Sequence, residues 1–152
     1  MNKHLAIAIL YGGFVAGTLD IGAAALIGWI DPLIVLRAVA SGLLGKAAFS
    51  GGVSVSALGM VLQWMMSLVI AAIYVIASTR IPSLTRRWIP ASLGYGVVVF
   101  FVMNYVVMPL SQAPFKTNTT ARSFILNLLA MLLFGLIVGF FAQRFAADRR
   151  AS

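Results

Sequence analysis

Four long apolar stretches dominate this chain: His4 to Ile30, Val53 to Ser78, Trp88 to Leu110 and Arg122 to Phe145. Each exceeds the ~20 apolar residues that an α-helix needs to cross a hydrocarbon layer of ~30 Å. No water satisfies backbone N–H and C=O groups inside that layer, so an apolar stretch of this length is read as a helix. The expected fold class is all-α, an integral membrane four-helix bundle forming one transmembrane domain over residues 1–152. Composition agrees: 62% of the residues are hydrophobic, 9% are charged, and mean hydropathy is +1.04.

Between the first span (4–30) and the second (53–78) lies "DPLIVLRAVASGLLGKAAFSGG", residues 31–52. It reads as too short and too charged to cross. Asp31 is placed to cap a helix, Pro32 fits its first position, and Gly51 and Gly52 end it. An interfacial or re-entrant helix over 32–48 is expected, with the third span at 88–110 and the fourth at 122–145.

The acids are Asp20, Asp31 and Asp148, against 11 Lys and Arg, for a net charge of +8. In a soluble chain that excess suggests nucleic acid. Here the basic residues lie between and beyond apolar blocks, where topology signals belong, so nucleic acid is set aside and membrane lipids are the expected surroundings. Lys3, Arg80, Arg86, Arg87, Arg144, Arg149 and Arg150 fall on one side, and Arg37, Lys46, Lys116 and Arg122 on the other. The larger group places both termini in the cytoplasm. The N-terminus also has a signal-peptide pattern, but its apolar run continues through "ALIGWI". With no cysteine and one histidine, His4, neither a metal centre nor another bound cofactor is expected.

Asp20 is the anomaly. A carboxylate at mid-membrane costs roughly 2.5 to 3.5 kcal/mol on insertion scales, so it normally has a partner or a task. On a 3.6-residue period Asp20 shares one helix face with Gly13, Gly17, Ala24 and Gly28, which turns it toward protein. Gly13 and Gly17 form one GxxxG pair, and Gly135 and Gly139 another. Such pairs mark close helix packing, either within the chain or in a homo-oligomer or a complex with another membrane protein.

In the second span Ser56, Gly59, Gln63, Ser67, Tyr74 and Ser78 form a single polar stripe. Counting from each span's midpoint, Asp20 and Gln63 lie roughly 4 Å toward the outer side, and Asn104 and Asn127 about 7 to 9 Å. Gln63, Asn104 and Asn127 are therefore the expected neighbours of Asp20. Arg37 is the expected counter-charge if residues 31–52 fold back as a lid. The plainer alternative is that these amides join helices, at roughly 0.6 to 2 kcal/mol each, without binding anything.

Other chemistries find little support. "SLGYG", residues 92 to 96, has the look of a potassium filter but opens a helix and lacks a preceding pore helix. His4 and Asp20 are ~24 Å apart along one helix, too far for a triad. A Ser–Lys dyad using Lys46 with Ser50 or Ser54 has no specific spacing. Pro109 is expected to kink the end of the third span.

"GTLDIGAA" (17 to 24), "VASGLLGKAAFSGG" (39 to 52) and "MNYVVMPLS" (103 to 111) together resemble a family of small uncharacterised bacterial inner-membrane proteins. The resemblance implies a four-helix inner-membrane protein in which Thr18, Asp20, Ser41 to Gly45 and Asn104 belong to the recurring pattern. It also implies histidine in relatives at the position of Gln63, so an Asp–His proton pair is absent here.

Three functions follow, in order of expectation. The first is a small transporter or permeation protein using Asp20, Thr18, Gln63, Asn104, Asn127 and Arg37. The second is an assembly subunit docking a larger membrane protein. The third is a lipid-acting enzyme with Asp20 as base, a thin catalytic set.

Overall fold

The computed structural model describes residues 2–114 and 120–151, and for 146–151 the backbone alone. Lys116 and the side chains of Asp148, Arg149 and Arg150 lie outside the described residues. Helix α1 runs Lys3–Gly28 and α2 Pro32–Leu44, followed by a 3-10 turn at Gly45–Ser50. Next come α3 (Val53–Arg80) and the short α4 (Ser83–Arg86). A continuous rod then consists of α5 (Trp88–Val102), a π turn (Met103–Val107) and α6 (Met108–Leu110); α7 (Ala121–Ala151) is last. No strand occurs among the described residues.

Among the described residues, five helical segments are long and apolar enough to cross a membrane: Lys3–Gly28, Pro32–Ser50, Val53–Arg80, Trp88–Leu110 and Ala121–Phe145. This corrects one expectation. Pro32–Ser50 has 19 residues and a hydropathy of 1.5, so length and composition do not disqualify it as a span.

The sequence signals at its start act as read. The Asp31 carboxylate accepts a hydrogen bond from the Leu33 N–H at 2.7 Å, and Pro32 stands at the first turn. Gly45 ends α2 at φ 61° and ψ −147°, a conformation that a Cβ would make costly.

Helices α1, α3, α5 and α7 pack antiparallel in sequence around a common core. Gly13 of α1 meets Leu68 of α3 and Gly17 meets Ser67, so α1 and α3 run in opposite directions. Tyr11 stacks on Phe141 at 6.1 Å and Gly12 meets Val138, which sets α7 antiparallel to α1. Trp88 lies 6.1 Å from Phe140, and Phe100 5.0 Å from Phe124, which aligns α5 against α7 in the same sense. Tyr95 closes the ring by donating its hydroxyl to the Ile70 carbonyl of α3 at 2.7 Å.

The packing is inverted relative to a water-soluble bundle. The buried face of α3 includes Ser56, Gly59, Gln63, Ser67, Tyr74 and Ser78, the polar stripe of the sequence. Leu58, Val61, Met65, Val69, Ile73 and Ile76 face outward on the same helix. Ser67 and Ser78 bond within the helix, to the Gln63 carbonyl at 2.8 Å and the Val75 carbonyl at 2.7 Å, whereas Ser56 donates to the Leu33 carbonyl of α2 at 3.1 Å.

Helix α2 lies across one end of the bundle. It starts just past α1, its Leu36 carbonyl fills the space where Gly59 of α3 would carry a Cβ, and the Gly42 carbonyl accepts from the Gln112 N–H at 2.9 Å. Val35 and Leu36 join Ile21 and Ala25 of α1 in a small core of their own.

Candidate functional site

The close approach of α1 and α3 builds the site. With glycine at positions 13 and 17, α3 comes near enough for side chains one turn further along to bond across the helices. Gln63 donates its side-chain Nε2–H to Asp20 Oδ2 at 2.8 Å. Its neighbour Trp64 donates Nε1–H to Thr18 Oγ1 at 3.1 Å, and the Thr18 hydroxyl donates to the Phe14 carbonyl at 2.8 Å. The structure thus brings together Asp20, Gln63 and Thr18, three of the six residues expected there, though Thr18 is exposed.

Asp20 is partly buried and also faces α7. It lines a cavity of about 10 Å³ with Ala16, Leu19, Ala23, Ala130, Leu133, Phe134 and Ile137. That volume is at the lower limit for one water molecule. An ionised carboxylate offers about four acceptor sites, and the Gln63 amide occupies one. The cavity itself is too small for an acyl chain.

Arg37 does not pair with Asp20, contrary to expectation. Gly59 stands one turn from Gln63, so α2 crosses about 6 Å beyond the Asp20–Gln63 pair. It turns Val35 and Leu36 onto α1, and Arg37 follows at 100° from Leu36 on another face. Its Nε is buried without a hydrogen-bond partner among the described residues.

Asn104 stands in the π turn, where its Nδ2–H donates to the Phe100 carbonyl at 2.8 Å. Pro109 follows closely. It has no N–H to offer the Tyr105 carbonyl, and the chain accommodates this with a π turn one step earlier, not with a simple terminal kink. Asn127 is partly buried one turn before Ala130, on the side of α7 that faces the Asp20 cavity.

The GxxxG pairs are both used inside the chain. Gly13 and Gly17 receive α3, while Gly135 and Gly139 receive Ser92 and Gly96 of α5. They therefore lend no support to an oligomer. The "SLGYG" segment is ordinary helix within α5. Lys46 is exposed, and Ser50 donates to the Ala47 carbonyl at 2.9 Å, an arrangement that forms no dyad.

Sequence reasoning missed two features. One is the Trp64–Thr18 bond, signalled only by a tryptophan far from either end of its span. The other is a polar knot toward the opposite end. Tyr74 Oη lies 3.2 Å from Ser92 Oγ and donates to the Leu84 carbonyl at 3.2 Å, with its ring 5.0 Å from Tyr95.

Comparison with known proteins adds no identity. No protein-family model, curated protein or solved structure matches the chain.

Proposed function

We propose that this is a polytopic membrane protein of four spans in which the Asp20–Gln63 pair binds a proton or a small cation during permeation or transport. The observation that carries the reading is the Asp20 carboxylate itself, bonded to one neutral amide, without a cationic partner among the described residues, beside a void at the lower limit for one water. A hydrogen bond to a charged group contributes roughly 1.5 to 3 kcal/mol, whereas burying an unpaired carboxylate costs far more. A proton or small cation supplies the missing stabilisation. The size of the void argues for such a species over an organic solute.

Membrane insertion is supported by the inverted packing of α3, with hydroxyls and amides inward and branched aliphatics outward. Four spans are favoured over five by connectivity. Because α1 and α3 are antiparallel neighbours, residues 31–52 leave and re-enter the bundle at the same end. A segment that does so crosses the layer twice or not at all, and two crossings need about 40 residues. We therefore read α2 and its 3-10 turn as a re-entrant or interfacial cover over the outer end. The excess of basic residues at the opposite end supports both termini in the cytoplasm, and the resemblance to small bacterial inner-membrane proteins supports that membrane.

The test is ion flux into proteoliposomes. Wild-type protein is expected to carry protons or a monovalent cation, and Asp20→Asn to lose at least tenfold while keeping its melting temperature. Equal flux in the two proteins would overturn the proposal. An assembly role would use the same carboxylate, which a partner's basic side chain would then meet. Copurification of a second polypeptide that disappears in Asp20→Asn would favour that role.

A further inference from the structure

On the other side of Ile137 from the Asp20 cavity, α1, α5 and α7 border an open groove of about 430 Å³ lined by Val15, Trp88, Ile89, Leu136, Ile137, Phe140 and Phe141, almost entirely apolar. We infer that this groove holds one acyl chain of an anionic phospholipid whose phosphate is met by arginines at its mouth. The inference rests on the chain spanning a membrane, not on the role of Asp20.

The placement of charge argues for this occupant. Trp88 is the first residue of α5, and the two residues before it are Arg86 and Arg87, both exposed. On α7, Arg144 stands one turn beyond Phe140 and Phe141, and it too is exposed. Arg86 and Arg87 thus stand at the end of the bundle where Trp88 opens the groove, and Arg144 follows Phe140 and Phe141 on α7 toward the same end. Planar guanidinium forks match phosphate oxygens, and each basic residue near an anionic surface favours binding roughly fivefold. Asp31 and Asp20 belong to the other half of the molecule, and Asp148 lies further along α7.

The length is also suitable. Leu136 to Phe141 cover about 8 Å of helix axis, roughly half of the ~15 Å depth of one leaflet's hydrocarbon. The groove therefore takes the half of an acyl chain nearest its headgroup. A second copy fits less well. A two-fold axis along the bundle would set the three arginines of one copy level with those of the other, and like charges would oppose.

Native mass spectrometry of delipidated protein, with phosphatidylglycerol or phosphatidylcholine of the same chains added back, tests the proposal. Wild type is expected to prefer the first phosphatidylglycerol by at least fivefold. The double variant Arg86→Gln, Arg87→Gln should lose that preference, and Leu136→Trp, which fills the groove at a residue that does not line the Asp20 cavity, should weaken the first binding event for both lipids. Equal affinity for the two lipids in wild type, or an unchanged preference in the double variant, would overturn the inference. So would a dimer that Leu136→Trp dissociates without any lipid effect. Ion flux measured on the same preparation keeps the proposals apart. Flux without lipid preference refutes only the groove, and lipid preference without flux refutes only the role of Asp20.

Discussion

Gln63 and Asp20, 43 residues apart in sequence, are joined by a 2.8 Å hydrogen bond between α3 and α1. Replacing Gln63 with Leu removes the donor and leaves the carboxylate without its amide partner. The expected cost is about 1 to 3 kcal/mol, or some 2 to 4 °C of melting temperature per kcal/mol for a chain of this size. Adding Asp20→Leu should recover part of that loss. Thermal unfolding of the four proteins in mild detergent gives the coupling energy, and a value indistinguishable from zero would mean that the bond contributes nothing.

Gly59 sets how closely α2 approaches the site, because the Leu36 carbonyl occupies the position of a Cβ. Gly59→Leu should push α2 off the bundle. Ala40, fully buried on α2, reports this movement: the chain has no cysteine, so Ala40→Cys is a unique label. Maleimide should modify it slowly in the parent and at least tenfold faster with Gly59→Leu. Equal rates would show that α2 is held elsewhere.

Gly139 meets Ser92 and the Tyr74 hydroxyl inside one chain. Gly139→Leu should therefore cost about 1 to 3 kcal/mol by overpacking, without changing the mass of the particle in light scattering. Conversion of a larger particle to a smaller one at unchanged melting temperature would instead assign this glycine pair to an interface between chains.

The re-entrant reading of Pro32–Ser50 predicts that Ile30→Cys and Lys46→Cys are labelled from the same side of sealed vesicles, and Thr85→Cys from the opposite side. Labelling of positions 30 and 46 from opposite faces would make this segment a fifth span.

The polar face of α3 was legible in the sequence because its period matches the helix, and in lipid polarity turns inward. The Asp31–Pro32 start was legible because a cap is a local event. Gly13, Gly17, Gly135 and Gly139 announced close packing but not the approaching helix, since a small residue records a distance and not a partner. The direction of Arg37 was hidden because the roll of α2 follows from long-range contacts of its backbone, Leu36 against Gly59 and Leu33 with the Ser56 hydroxyl. The π turn at Asn104 left no trace except Pro109, since one extra residue in a helical turn changes neither composition nor hydropathy.

A proton or small cation bound at Asp20 changes the carboxyl stretch of that residue. Difference infrared spectroscopy, wild type minus Asp20→Asn, across pH and added monovalent cation, reads this change. A single carboxyl signal is expected, absent from the variant, that responds to pH or to one cation and shifts in Gln63→Leu. A signal from Asp20 that stays constant under every ion and pH condition would contradict such binding and leave the pair as a bond between two helices.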